Sequence, residues 1–268
     1  MLLGLMILKK LRESDAYFVD KSLFIKDIIE DRSEVLLFPR PRRFGKTLNT
    51  SMLKYFFHHE NAEENSTLFD GLAITQDPVF KQHQGKYPVI FLSLKDVKSK
   101  TFEDSCLKIK QLISSHFSRY NYLLDSGNIS DFDKQTFKNI CSGEAPDAFF
   151  DGALKLLSKL LCQHHNHKVM LLLDEYDTPI HEAYLNGYYE PAVNFFRILL
   201  GNALTGNEYL QKGVLTGILR VSKESMFSDL NNVKVHSVLS YDFNTSFGFT
   251  QQELDGLLND YQLFNHRE

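Results

Sequence analysis

The chain has 268 residues, 43% of them hydrophobic and 24% charged, enough to bury one large core or two modest ones. A net charge of −4 gives no overall basic field, so any nucleic acid would have to be held by a local patch. Cys106, Cys141 and Cys162 stand far apart in no metal or disulfide spacing, as expected of thiols in a reducing cytoplasm, and the apolar start MLLGLMIL is too short to span a bilayer and lacks the flanks of a signal peptide.

MLLGLMIL and the polar KKLRES after it read as the first turns of an amphipathic helix or an irregular start. Ser22–Asp31 is a helix with Ser22 at its cap. Glu34–Phe38 (EVLLF) is the first strand, and Lys46–His58 follows as a helix with Leu48, Met52, Leu53, Phe56 and Phe57 on one side. Pro88–Leu94 (PVIFLSL) is a second strand and Phe102–Tyr122 a helix. Ala145–Cys162 carries a strong 3.6-residue apolar stripe. Val169–Leu173 (VMLLL) is a third strand, then Thr178-Pro179 opens a short helix and Pro191–Leu204 forms another. Gly213–Leu219 and Val235–Leu239 complete five strands. Thr250–Glu268 is helical, with Thr250 and Glu253 as a capping box. Near-continuous apolar strands alternating with helices predict an α/β fold, a three-layer sandwich with a mostly parallel sheet of about five strands and helices on both faces.

One turn stands out. FPRPRRFGKTL, Phe38–Leu48, runs from the first strand into a helix and ends in Gly45-Lys46-Thr47. A phosphate-binding Walker A loop has this context: its amides form an anion nest, the helix N-terminus adds partial positive charge, the lysine reaches the β- and γ-phosphates, and the hydroxyl residue binds magnesium. Arg40 stands where such loops carry their first glycine, and Pro39 and Pro41 shape the turn in its place. The expected nucleotide-binding set is Arg42, Arg43, Phe44, Gly45, Lys46, Thr47 and Leu48. Arg42 or Arg43 would add charge near the γ-phosphate.

VMLLLDEYD, Val169–Asp177, supplies the matching acids. A carboxylate at the C-terminal end of a buried strand lies in the ligand crevice of an open α/β sheet. Asp174 and Thr47 are the expected Mg²⁺ residues, with Glu175 orienting and deprotonating the attacking water. Lys46 and Glu175 are thus catalytic candidates. Asp177 braces an arginine, caps the next helix or touches the metal shell. Arg220, ending GVLTGIL, is a third catalytic candidate as a γ-phosphate sensor, or else a structural ion-pair partner of Asp174 or Asp177. CQHHNH, Cys162–His167, precedes a strand and so lies at the opposite sheet edge, where a polar turn is the expectation.

Six segments in order, YFVDKSLFIKDII (Tyr17–Ile29), LLFPRPRRFGKTL (Leu36–Leu48), YPVIFLSLKDVK (Tyr87–Lys98), VMLLLDEYDTPI (Val169–Ile180), TGILRVSKESMFSDLNN (Thr216–Asn232) and FGFTQQEL (Phe247–Leu254), resemble the AAA-ATPase-like family of bacterial P-loop proteins. The RPRRFGKTL form is a trait of that family. The resemblance implies ATP with Mg²⁺, and a place near the base for Tyr17 and Asp20. It also implies a PD-(D/E)XK nuclease-like C-terminal domain in many members. No carboxylate and E-x-K set follows here, so the sequence is expected to be a fragment. The expected divisions are an N-terminal segment at 1–33, an ATPase core at 34–246 and the start of a helical lid at 247–268. An ATPase regulating an attached effector is the leading function. A non-hydrolysing nucleotide switch, or a basic-loop nucleic-acid module that the net charge does not support, are the alternatives.

Overall fold

Along β1 (Val35–Pro39), Val35 and Leu37 join one hydrophobic cluster, and Leu36 and Phe38 join another. This is the period-2 geometry of a strand buried on both faces. The computed structural model describes residues 7–14, 16–218 and 232–263. In it β2 (Val89–Ser93), β3 (Val169–Asp174) and β4 (Leu210–Gly217) divide their side chains in the same way, and β5 (Val233–Val235) is a short edge strand. All pairings are parallel, in the order β2-β3-β4-β1-β5. Every strand therefore delivers its C-terminal end to one edge of the sheet, and β4 separates the two strands whose ends carry the predicted chemistry.

Helices cover both faces. On one, α1 (Leu8–Arg12), α2 (Phe24–Glu30), α3 (Lys46–Phe57) and α5 (Pro78–His83) bury Leu8, Phe24, Phe56 and Val79 in the cluster of Leu36 and Phe38, with α4 (Ala62–Thr67) against α3. On the other lie α6 (Phe102–Phe117), α7 (Asp131–Ser142), α8 (Asp147–Asp151), α9 (Ala153–His165), α10 (Thr178–Leu185) and α11 (Tyr189–Leu204). Finally, α12 (Gln251–Asp260) carries the predicted capping box between Thr250 and Glu253 and buries no side chain. No described helix is long and apolar enough to cross a membrane.

Several boundaries differ from expectation. Ser22 does not cap α2, which starts at Phe24; its hydroxyl accepts the Ile74 amide at 3.1 Å instead. β4 starts at Leu210, three residues before the expected Gly213. The stripe Ala145–Cys162 is two helices, because Gly152 leaves helical geometry at φ −101°, ψ 2°. The helix expected to reach Tyr122 ends at Phe117 and passes into a 3-10 turn, Ser118–Asp125. The last strand stops at Val235. Val238 and Leu239, though apolar, are 53% and 92% exposed in the turn that follows.

β5 is tied to the end of α2 by charge. Lys234 Nζ lies 3.0 Å from Asp31 Oδ2, and the Ser33 amide donates to Asp31 Oδ1 at 2.7 Å. Burial alone would raise the Asp31 carboxyl, but the Ser33 amide and Lys234 overcome it and hold it at about 2. The folded value lies below the unfolded one, about 3.9. The carboxylate's contribution to stability is therefore present above about pH 4 and lost as pH falls towards 2. Asp31→Asn is expected to flatten the acid limb of thermal stability between those values, measured as melting temperature against pH.

Candidate functional site

β1 leaves the sheet through Arg40, whose amide donates to Gly217 O of β4 at 2.9 Å. The Arg40 side chain does not point to solvent with its neighbours. It is buried, with Nη1 donating to the carbonyls of Pro39 (3.0 Å) and His236, and Nη2 reaching Phe243 O at 3.5 Å. Its guanidinium lies 4.7 Å from the centre of the Phe247 ring. Burial pulls it down to about 10 from the ordinary arginine range. Arg40 is thus the rivet joining the loop to the segment 236–247, whereas Arg42 and Arg43 are exposed. Arg40→Met keeps the packing but leaves those carbonyls without a donor. A loss of roughly 1–3 kcal/mol is expected, with faster proteolysis of 236–247, readable by urea melts and limited trypsin digestion.

The back half of the loop has the nest geometry. Arg43 (φ 68°) and Gly45 (φ 78°) are both left-handed, turning successive amides toward one concavity. A Cβ on Gly45 would meet no protein atom, so φ and not space is what glycine satisfies there. Among the described residues the amides of Gly45 to Leu48 have no acceptor outside α3, and α3 begins at Lys46. They are the orphan donors of a helix start. Lys46 folds over the loop, its Nζ donating to the carbonyls of Arg40 and Pro41 at 2.9 Å each. Burial holds its ammonium below the ordinary lysine range, against the opposing charges of Glu175, Asp177 and Asp174. Lys46 thus lies within electrostatic reach of the acids at and just after the end of β3.

Asp174 is fully buried at the end of β3. Thr47 Oγ1 donates to its Oδ2 at 2.7 Å, and Thr216 Oγ1, from β4, donates to its Oδ1 at 2.6 Å. Glu175 follows in a left-handed conformation, φ 53°, unusual for a non-glycine residue. One of its carboxylate oxygens accepts the Thr178 hydroxyl at 3.3 Å. Asp177 starts α10 without a side-chain cap and instead accepts the Ile218 amide at 2.9 Å. It packs so closely on Gly217 that a Cβ there would lie 2.4 Å from Asp177 Oδ1 and 2.7 Å from Tyr176 Cε1. Thr216 and Gly217 look like plain strand residues in sequence; only the neighbouring strand reveals what they do.

On the α2 side of the loop, the Tyr17 hydroxyl donates to Asp260 Oδ2 at 2.9 Å, and its ring lies 5.8 Å from that of Tyr261. Both oxygens of Asp20 accept backbone amides, Ser22 N and Ala73 N, at 2.7 Å each. Lys21 Nζ binds Glu253 of α12 at 2.5 Å and Thr245 O at 2.6 Å. The Gly248 amide donates to Phe44 O at 3.2 Å, and Asn49 Nδ2 to Ser246 O at 2.7 Å. The N-terminal segment, the C-terminal helix and the loop thus form one contiguous rim. Leu48 packs at the edge of the α3 core. Arg220 lies outside the described residues. At the opposite edge, His164 and His165 of CQHHNH end α9 and His167 lies in the bend before β3, with the Tyr122 hydroxyl 2.9 Å from His165 Nε2. No group of three or more potential metal ligands from His, Cys, Asp and Glu occurs among the described residues.

A family model described as predicted AAA-ATPase matches residues 3–227. The chain belongs to the predicted AAA-ATPase family. That span takes in the loop, the acids at and just after the end of β3, and β4, and membership supports ATP binding at the level of class. A relative from Azotobacter chroococcum mcd 1, described as an uncharacterized protein in vnfD 5'region, is 26% identical over 264 residues. The match covers 95% of this AAA-ATPase-like chain and 44% of the relative, so the chain spans less than half the relative's length. No solved structure matches.

Proposed function

We propose that this chain binds Mg-ATP at the common edge of β1, β4 and β3, and hydrolyses it to drive or gate an attached effector. The observation that carries the reading is the 2.7 Å contact between Thr47 Oγ1 and Asp174 Oδ2, made beside a helix start whose first amides have no acceptor. One hydroxyl and one carboxylate are too few to cage a metal alone. They suit Mg²⁺, which keeps waters and takes phosphate oxygens for the rest of its shell. When bound, the ion neutralises charge on the β- and γ-phosphates.

The chain's own residues do the remainder. Amides of Gly45 to Leu48 face the phosphates, Lys46 trades its two loop carbonyls for phosphate oxygens, and exposed Arg42 and Arg43 add positive charge beside them. Glu175 holds a water and takes its proton as that oxygen bonds to the γ-phosphorus and the bond to the β–γ bridging oxygen breaks. Arg220 is assigned to the γ-phosphate from its place in sequence. Tyr17, Asp20 and the base are assigned to the α2 side of the loop through the family resemblance. The chemistry is that of a cytoplasmic protein.

The direct test is ATP titration with product analysis. Saturable binding at millimolar ATP, ADP release above background with Mg²⁺, and loss of that release in EDTA are expected. Binding without release leaves a nucleotide switch and removes hydrolysis. No binding removes the site.

A further inference from the structure

At the far end of α3 from the phosphate loop, a cavity of about 270 Å³ opens between α3, α4, the edge strand β2 and the end of α6. Lys54 and Arg119 both line it. Neither side chain makes an ion pair or hydrogen bond among the described residues. Lys54 is half-buried, and its Nζ sits over the rings of Tyr55 and Phe91, 5.5 and 5.3 Å from their centres. Another lysine on the wall, Lys9, is already engaged by Glu64 at 2.6 Å. Glu60, on the rim, is exposed and bonds to neither cation through its side chain; its charge offsets theirs in part.

Glu60 neutralises Lys54 only in part, and burial makes an incompletely paired ammonium costly. The ends of α3 and α6 favour positive charge here through their dipoles, but they supply no acceptor to either side chain. Burial holds the Lys54 ammonium below the ordinary lysine range, and Arg119 pushes it the same way. His58 adds a neutral donor: its Nδ1 accepts the Glu60 amide at 3.0 Å, which leaves the ring proton on Nε2. A guanidinium fork, an ammonium and an imidazole N–H around one space match a tetrahedral dianion better than a carboxylate. Tyr55 and Phe91 offer apolar wall beside it.

We propose that this cavity is a second anion site, separate from the phosphate loop, that takes a small phosphorylated molecule with its phosphate between Lys54 and Arg119. Because α3 begins at Lys46 and carries Lys54 eight positions later, about 12 Å along its axis, the two sites share one rigid element.

The test uses the full chain carrying Lys46→Ala, which removes the loop's lysine from the reading. Ribose 5-phosphate and inorganic phosphate are titrated by calorimetry, with ribose as the uncharged control. Ribose 5-phosphate is expected to bind and ribose not to. Arg119→Ala and Lys54→Gln are each expected to weaken binding roughly ten- to a hundredfold, the worth of one charge-assisted hydrogen bond. Arg119 is exposed, so its variant tests the site even if Lys54→Gln perturbs folding. Silence from both phosphates up to about 10 mM, or binding that Arg119→Ala leaves unchanged, overturns the proposal. Binding of inorganic phosphate alone overturns its organic part.

Discussion

Lys46→Ala is expected to lower ATP affinity roughly a hundredfold or more, with Mg²⁺ present. The free protein explains the size of the effect. Lys46 Nζ is already desolvated and held by the carbonyls of Arg40 and Pro41 at 2.9 Å, so most of the cost of ordering that long side chain is met before nucleotide arrives. Binding exchanges two neutral acceptors for charged ones, and a hydrogen bond to a charged group is worth about 1.5–3 kcal/mol. Two such bonds give about 3–6 kcal/mol, where each 1.4 kcal/mol is tenfold in affinity. The same substitution strips a donor from the loop carbonyls and so disturbs the loop itself. Lys46→Gln, which keeps a donor near them, separates that effect from the loss of charge. Calorimetry should find both variants weak, and Lys46→Gln should melt closer to the parent than Lys46→Ala does. Parental affinity in Lys46→Ala would remove the lysine, and with it the loop, from the site.

How much of this was legible in the sequence differs by residue, and the differences have physical causes. β1, β3 and β4 announced themselves as apolar runs because both their faces are covered. Gly45-Lys46-Thr47 and Asp174 were legible because a loop–helix junction and a strand end are local patterns. Arg40 was not. Its partners His236, Phe243 and Phe247 lie about two hundred positions away, and nothing local tells a buried arginine from the exposed Arg42 and Arg43. Gly217 is required by the side chains of Tyr176 and Asp177 on the adjoining connection, a cross-strand demand with no sequence period. The left-handed Glu175 is likewise silent, since glutamate has no preference for that region. α7 was a missed signal: Ser130 accepts the Asp133 amide at 3.2 Å as its N-cap, a Ser-x-x-Asp pattern that stood in plain view. Val238 and Leu239 misled in the other direction, because strand-like composition does not bury a turn.

Glu175→Gln is expected to keep ATP affinity and lower turnover by roughly 10²–10⁴-fold, the usual worth of a positioned general base. The backbone supports the assignment independently of the acid's chemistry. Glu175 is held at φ 53°, a conformation costing a non-glycine residue about 1–2 kcal/mol, by bonds on both sides: Tyr176 N to Thr216 O and Thr178 N to Glu175 O, each 3.1 Å. Those bonds fix the bend that carries a second carboxylate out of the strand just after the buried Asp174. Glycine would take the bend without strain, so the proposed role for Glu175 predicts that its side chain matters for turnover and not for stability. Glu175→Gly should therefore melt no lower than the parent while losing turnover as completely as Glu175→Gln. Single-turnover ADP release and thermal melts on the same samples decide it. Full turnover in Glu175→Gln would return the water-activating role to another group. A Glu175→Gly protein that melts well below the parent would mean the side chain is structural, its contact with Thr178 outweighing the strain it imposes.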